Sequence, residues 1–128
     1  MLVITRFAVA PDGEAGFRAS AHAALAALAV RPGWRGGRIG RAVDDAGLWL
    51  LVTDWDSVGA WRRALGGYDV KLAVVPLLMT ALDEPSAFEV LYDAETGWLG
   101  PSDRAPDADS VNVGEAAGPG SGWTPEQP

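Results

Sequence analysis

The chain contains no cysteine, a single histidine and a single lysine among its 128 residues. Without cysteine there is no disulfide scaffold, thiolate nucleophile or iron–sulfur cluster. One histidine, His22, leaves too few nitrogen ligands for an ordinary metal centre. Glycine-rich phosphate-binding motifs are also absent, so we expect neither a metal nor a nucleotide cofactor. The formal charge of -7, from 10 basic and 17 acidic side chains, offers no basic surface to a phosphate backbone. Nucleic-acid binding is therefore not expected.

Long apolar runs are also missing. No run approaches the roughly 20 residues that a membrane helix needs. The sequence opens on Met1-Leu2-Val3-Ile4, without the basic region and small-residue cleavage site of a secretory signal. With 48% hydrophobic and 21% charged residues, the composition is typical of one globular domain. These features predict a soluble cytoplasmic protein that does not enter a membrane.

Charge and turn-forming residues divide the chain into two parts. Residues 1–97 hold 9 basic and 12 acidic groups, whereas residues 98–128 hold one arginine, 5 acidic groups, 5 glycines and 5 prolines. Such a polar segment buries too little apolar surface to offset its ordering entropy. We expect a domain at 1–97 and an acidic, mobile tail at 98–128. Trp98 and Trp123 in the tail either dock on the domain or a partner, or are incidental exposed side chains.

The first part of the domain shows a strand and a helix. Residues 2–9 are rich in β-branched side chains and end at a Pro-Asp-Gly turn, which predicts a strand. From about Asp12 the apolar residues recur every three or four positions until Pro32-Gly33, which predicts a helix of four to five turns.

The rest of the domain contains further predicted strands and helices. Residues 34–43 and 48–55 form two strand-length runs around an Asp/Gly-rich connection, which favours a hairpin. Helical runs follow at 58–65 and 70–82, the second interrupted at Pro76. Residues 87–92 alternate at period two and predict the last strand.

The element order β-α-β-β-α-β indicates an α+β fold, the ferredoxin-like split βαββαβ sandwich with a four-stranded antiparallel sheet. The helices should cover one face of this sheet. Several strands are apolar at odd and even positions alike, so the second face also needs cover. A second copy of the same sheet is the economical solution, which predicts a homodimer through the sheet face. Replacing Leu51 by Asp should break that dimer if Leu51 faces the partner sheet.

Three motifs resemble the antibiotic biosynthesis monooxygenase superfamily: Thr53-Asp54-Trp55-Asp56-Ser57 at a strand-to-helix junction, Arg31-Pro32-Gly33-Trp34 entering strand two, and Tyr68-Asp69-Val70-Lys71 after the second helix. The resemblance covers about residues 1–95. It implies a dimeric α+β barrel with a ligand pocket between each sheet and its helices.

The same resemblance indicates which activities of the superfamily to expect in this chain. The superfamily includes cofactor-independent oxygenases of aromatic polyketides, haem-degrading enzymes and small quinol-handling proteins. The haem-degrading branch uses an Asn in strand one and a His after the second helical region. Here Asn112 is the only asparagine, and residues 66–82 contain no histidine. The resemblance therefore implies cofactor-independent oxygenation rather than haem degradation.

Few side chains are available for such chemistry. The catalytic residue stays open, with His22 as the candidate base because histidine ordinarily exchanges protons near neutral pH; a surface role on the helix flank is the alternative. Trp61 and Tyr68 are candidate substrate-binding residues, because they lie where the helices should cover the sheet. Arg38 is a candidate to hold a phenolate or carboxylate of the substrate. Core packing for the aromatic residues, and a solvent-facing or ion-paired role for Arg38, are the alternatives.

The sequence thus predicts a cofactor-independent, monooxygenase-like protein acting on a small aromatic or quinol-type compound. The alternative is a non-catalytic dimer that binds a small molecule or serves as an interaction module. The small number of acid–base groups favours that alternative. Convergence of His22, Trp61, Tyr68 and Arg38 on one cavity would favour the enzyme.

Overall fold

The structure is a computed structural model and describes residues 1–99. The strands are β1 (Leu2–Ala8), β2 (Trp34–Arg41), β3 (Leu48–Trp55), β4 (Ala87–Phe88), β5 (Tyr92–Asp93) and β6 (Trp98–Leu99). The helices are α1 (Glu14–Ala29), α2 (Val58–Ala64), α3 (Tyr68–Ala73) and α4 (Val75–Leu78), and a 3-10 turn at Pro11–Gly13 leads into α1. Within this range no helix is long and apolar enough to cross a membrane.

The strands β1 to β4 form an antiparallel sheet in the order β2-β3-β1-β4. This topology confirms the predicted α+β class and the ferredoxin-like split βαββαβ arrangement. The long strands β1 and β3 pair along their whole length, from Leu2 opposite Asp54 to Ala8 opposite Leu48. The predicted break at Pro76 is also present, because this proline lies in the first turn of α4, where its missing N–H costs no helical hydrogen bond.

The helices cover one face of the sheet and form the core with it. Side chains at alternate positions of β1 and β3 are buried on this helix face, and those between them are half-buried. Successive side chains of a strand point to opposite faces, so the alternation separates a helix face from an outer face. The buried set includes Val3, Thr5, Phe7, Trp49, Leu51, Thr53 and Trp55 from the strands, and Ala21, Ala24, Leu28, Trp61 and Val70 from the helices.

The outer face carries an apolar surface. Leu2, Ile4, Leu48, Leu50 and Val52 lie at its half-buried positions. Leu51, in contrast, is only 3% exposed and belongs to the core cluster on the helix face. The expectation that Leu51 faces a partner sheet is therefore wrong. Its neighbours in β3, one residue away on either side, occupy the outer face instead.

The final strand is shorter than predicted. Regular pairing stops after Phe88, although the alternating pattern continues to residue 92. In the antiparallel register Phe88 lies opposite Leu2, the first residue of β1. Because β1 begins at Leu2, it offers no further partner residues, and the pairing of β4 ends there. Tyr92–Asp93 instead pairs with Trp98–Leu99 as a separate hairpin.

The start of the predicted tail is part of that hairpin. Trp98 and Leu99 form β6, so the expected boundary after residue 97 falls between its two strands. The remaining residues of the predicted mobile tail, 100–128, together with Asn112 and Trp123, lie outside the described residues.

Candidate functional site

Two cavities lie along the edges of the sheet. The first, here called the β1 cavity, has a volume of about 360 Å³ and is lined by Val3, Ile4, Thr5, Arg6, Trp61, Leu78, Met79, Ala81, Leu82, Asp83, Glu84 and Ser86. The second, called the α1 groove, has a volume of about 500 Å³ and is lined by Arg18, Ala19, His22, Ile39, Gly40, Arg41 and Trp49. Both volumes fall in the range of roughly 300–1,000 Å³ that small-molecule sites occupy.

The local structure fixes Trp61 at the β1 cavity. Ser57 caps α2, its hydroxyl accepting a hydrogen bond of 3.1 Å from the Ala60 N–H. The Trp61 ring then packs on Trp55, with ring centroids 5.6 Å apart. Gly33 has a positive φ of 90°, and a Cβ at this position would clash with the Ala60 Cβ. A glycine is therefore needed where the start of β2 approaches α2.

Two largely buried residues of the β1 cavity carry polar groups that make no hydrogen bond, although among residues 1–99 the fully buried side-chain atom without a partner is Arg31 Nε. Thr5 is 5% exposed and Trp61 is 9% exposed. Among residues 1–99 neither the Thr5 hydroxyl nor the Trp61 indole N–H makes a hydrogen bond, whereas the equally buried Thr53 hydroxyl accepts one of 2.9 Å from Trp55 Nε1. Both groups are therefore available to a ligand in the cavity. With the apolar side chains of the same cavity, they can hold a small flat molecule by its oxygen atoms.

The mouth of the β1 cavity carries charge. Arg6 Nη1 lies 3.4 Å from Glu84 Oε1, and both side chains are partly exposed. Asp83 lines the same cavity and has no cationic partner within the described part of the chain. Backbone hydrogen bonds from Leu82 N to Arg6 O (2.8 Å) and from Ile4 N to Ser86 O (2.7 Å) hold this segment against β1. A carboxylate without a cationic partner thus lies at a cavity whose walls carry both polar and apolar side chains.

The predicted site residues do not converge. Trp61 lines the β1 cavity and His22 lines the α1 groove. Tyr68 begins α3 and is 76% exposed, lining neither cavity. Arg38 lies opposite Val52 in the β2–β3 ladder and is exposed on the outer face. Among residues 1–99, no two of these four side chains line the same one of the two cavities.

Sequence reasoning missed three residues of the β1 cavity: Thr5, Asp83 and Glu84. A signal existed for Thr5, because a hydroxyl at a core-facing position of an apolar strand needs a partner. No local pattern marked Asp83 and Glu84, since their place depends on how residues 81–86 return to β1. Within residues 1–99 no group of three or more potential ligands could hold a metal ion.

The chain was compared with known proteins. The crystal structure of a variant of SnoaB, a cofactor-independent oxygenase from Streptomyces nogalater, matches with a TM-score of 0.63 and 22% identity, over 73% of this chain and 94% of that one. The structure of Rv0793 from Mycobacterium tuberculosis matches with a TM-score of 0.59 and 23% identity, over 73% of this chain and 96% of that one. Similarity at these identities establishes a shared fold.

Comparison with curated proteins gave no match. The family model for antibiotic biosynthesis monooxygenases, however, matches residues 1–74. This match spans more than half of the chain, including β1, the β2–β3 hairpin and Trp61 on α2. The chain belongs to the antibiotic biosynthesis monooxygenase family.

Proposed function

We propose that the protein is a cofactor-independent monooxygenase acting on a small aromatic or quinol-type compound in the β1 cavity. The observation that carries the proposal is a pair of unpartnered donors on largely buried residues, the Thr5 hydroxyl and the Trp61 indole N–H, at a cavity of about 360 Å³. Family membership supports the reaction class.

The chemistry needs few protein groups. A reduced aromatic compound that loses a proton gives an anion that can pass an electron to dioxygen. One oxygen atom then enters the substrate, and the other leaves as water with two substrate hydrogens. The protein binds the two reactants together and excludes bulk water.

Three residues of the β1 cavity have a part in this scheme. The Thr5 hydroxyl and the Trp61 indole N–H donate hydrogen bonds to the developing oxyanion, which stabilises it because the two donors are already held in place. Asp83 accepts the substrate proton at the mouth, because Glu84 is engaged by Arg6. His22 lines the α1 groove and takes no part in this scheme.

The proposal includes a homodimer through the outer face. Leu50 and Val52 at the centre of this face are half-buried, and apolar side chains of β1 adjoin them. A contiguous apolar surface of this kind is normally covered by a partner. A second copy would cover it and leave the helix face free.

The test is oxygen consumption with anthrones, naphthols and quinols, for the wild type and two variants of Thr5. Thr5→Val keeps the shape but removes the hydroxyl, and we expect turnover to fall at least about tenfold, the factor expected for one lost hydrogen bond of about 1.4 kcal/mol. Because the hydroxyl has no partner in the free protein, the free energy of unfolding should not fall. Thr5→Ser retains the hydroxyl and should retain most of the turnover.

Unchanged turnover in Thr5→Val would contradict the placement of the substrate. Absence of turnover across the panel, with a compound still bound, would favour a non-catalytic small-molecule-binding dimer of the same fold.

A further inference from the structure

The α1 groove holds a cluster of positive charge that the proposed oxygenase chemistry does not use. Arg18 and His22 lie four residues apart on α1, on neighbouring turns of one helix face. Arg41 reaches the groove from the end of β2. The guanidinium carbons of Arg18 and Arg41 each lie 5.2 Å from the centroid of the Trp49 ring. The two cations can therefore be no farther apart than twice that distance.

The charges of this cluster are incompletely balanced. Arg41 Nη1 lies 3.6 Å from Glu14 Oε1, a long ion pair between partly exposed side chains. Arg18 has no carboxylate partner among residues 1–99. One carboxylate thus faces two guanidinium groups, in a chain whose overall charge is -7. An additional anion would relieve the repulsion between the two arginines.

The remaining walls of the groove are apolar. Trp49 forms its floor and is held in place by a 3.0 Å hydrogen bond from its Nε1 to the Ala46 carbonyl and by an edge contact with Phe17. Ile39 and Ala19 line the groove as well, and the backbone of Gly40 completes it. Such walls favour the flat hydrocarbon part of a ligand, while the guanidinium groups favour its charged end.

From this arrangement we propose that the α1 groove binds a small aromatic carboxylate. The carboxylate lies between Arg18 and Arg41, which offer planar, multiple N–H donors matched to its two oxygens. The aromatic ring lies against Ile39 and Ala19, and His22 contacts it from α1. Trp49, in contrast, is only 2% exposed and supports the two guanidinium groups. This site is distinct from the β1 cavity and does not depend on the reaction proposed there. It opens on the helix face, so a partner on the outer face leaves it accessible.

The single histidine gives a specific readout. Because His22 is the only histidine of the chain, the proton NMR spectrum contains one imidazole Cε1–H signal from the protein. Titration with benzoate should move this signal along a saturable curve. Benzamide, with the ring but without the charge, and acetate, with the charge but without the ring, should each bind at least about tenfold more weakly, which corresponds to about 1.4 kcal/mol.

Matched arginine variants test the mode of binding. Arg18→Gln and Arg41→Gln should each weaken benzoate binding at least about tenfold, in keeping with the loss of a charged hydrogen bond of roughly 1.5–3 kcal/mol. Arg35→Gln is the control, since Arg35 is an exposed residue of β2 that pairs with Asp56 and does not line the groove. All three residues are exposed, so the variants should fold.

The absence of a saturable shift with benzoate would overturn the proposal. Equal weakening by Arg35→Gln would also overturn it, because the attraction would then be a general effect of net charge. Loss of the titration only in Arg18→Gln and Arg41→Gln would establish the site, whatever the outcome at the β1 cavity.

Discussion

Replacing Gly33 by Ala should destabilise the protein and disturb the β1 cavity together. Gly33 has a φ of 90°, and its Cα lies against Ala60 on α2. A methyl group at this position meets the Ala60 Cβ at less than contact distance. Because Trp61 follows Ala60 directly, any shift of α2 that relieves the clash also moves the indole ring that lines the cavity.

The expected loss in the free energy of unfolding is the sum of two independent contributions. Holding a residue other than glycine in the left-handed region costs roughly 1–2 kcal/mol. Inserting a methyl group into a well-packed contact costs typically about 1–3 kcal/mol more. The free energy of unfolding should therefore fall by about 2–5 kcal/mol, a large fraction of the roughly 5–15 kcal/mol that stabilises an ordinary domain.

Gly16→Ala is the matched control. Gly16 lies within α1 on its exposed side, and a Cβ there would meet no atom within 4 Å. Alanine is the better helix former, so this variant should gain about 0.5–1 kcal/mol. Urea denaturation followed by tryptophan fluorescence, at one fixed protein concentration, measures both variants. A Gly33→Ala variant as stable as the wild type would refute the packing of β2 against α2 described above.

Three further variants test other parts of the account. Leu50→Asp should convert the proposed dimer to a monomer in analytical ultracentrifugation, because a carboxylate would be buried without a partner. Val30→Asp, at an exposed position after α1, should leave the proposed dimer intact. A dimeric Leu50→Asp variant would argue against the outer face as the interface. Truncation after Gly97 should leave the melting temperature nearly unchanged, since Trp98 and Leu99 are exposed and pair only with β5; a marked drop would show that the hairpin or residues 98–128 support the domain. Asp83→Asn should lower turnover without loss of stability, as the carboxylate is exposed and unpaired within residues 1–99; full activity would exclude it as the proton acceptor.

The sequence predicted the elements well because their signals are local. The turn after β1 and the proline at position 76 each act within a few residues, and the structure has elements beginning or ending at both. The last strand was harder to predict, since its length depends on the strand beside it. Pairing ends at Phe88 because the register brings that residue opposite Leu2.

The faces of the sheet could not be assigned from the sequence. In β3 the residues Leu48, Trp49, Leu50, Leu51 and Val52 are apolar at both parities, so the pattern does not tell which side chains meet the helices. The structure places Leu51 inward and Leu50 outward.

The position of the candidate site could be predicted from the sequence only in part, for a related reason. Trp61 lies at the β1 cavity, whereas Tyr68 at the start of α3 is exposed to solvent; their roles in binding stay predictions. Arg38 lies on β2, as predicted. The sequence did not show on which face of the sheet its side chain lies, because the strand pattern does not distinguish the two faces. His22 does line a cavity, together with Arg18 and Arg41, whose proximity arises from the tertiary contact of α1 with β2.

The most direct measurement is the origin of the oxygen atom in the product. Wild-type protein stripped of metals is incubated with the reduced aromatic panel under isotopically labelled dioxygen, and the product is analysed by mass spectrometry. The account predicts one labelled oxygen atom per product molecule, no product under nitrogen, and strongly reduced labelled product from Thr5→Val but not from Thr5→Ser. Label that enters from water instead of dioxygen, or equal product from the wild type and Thr5→Val, would contradict it.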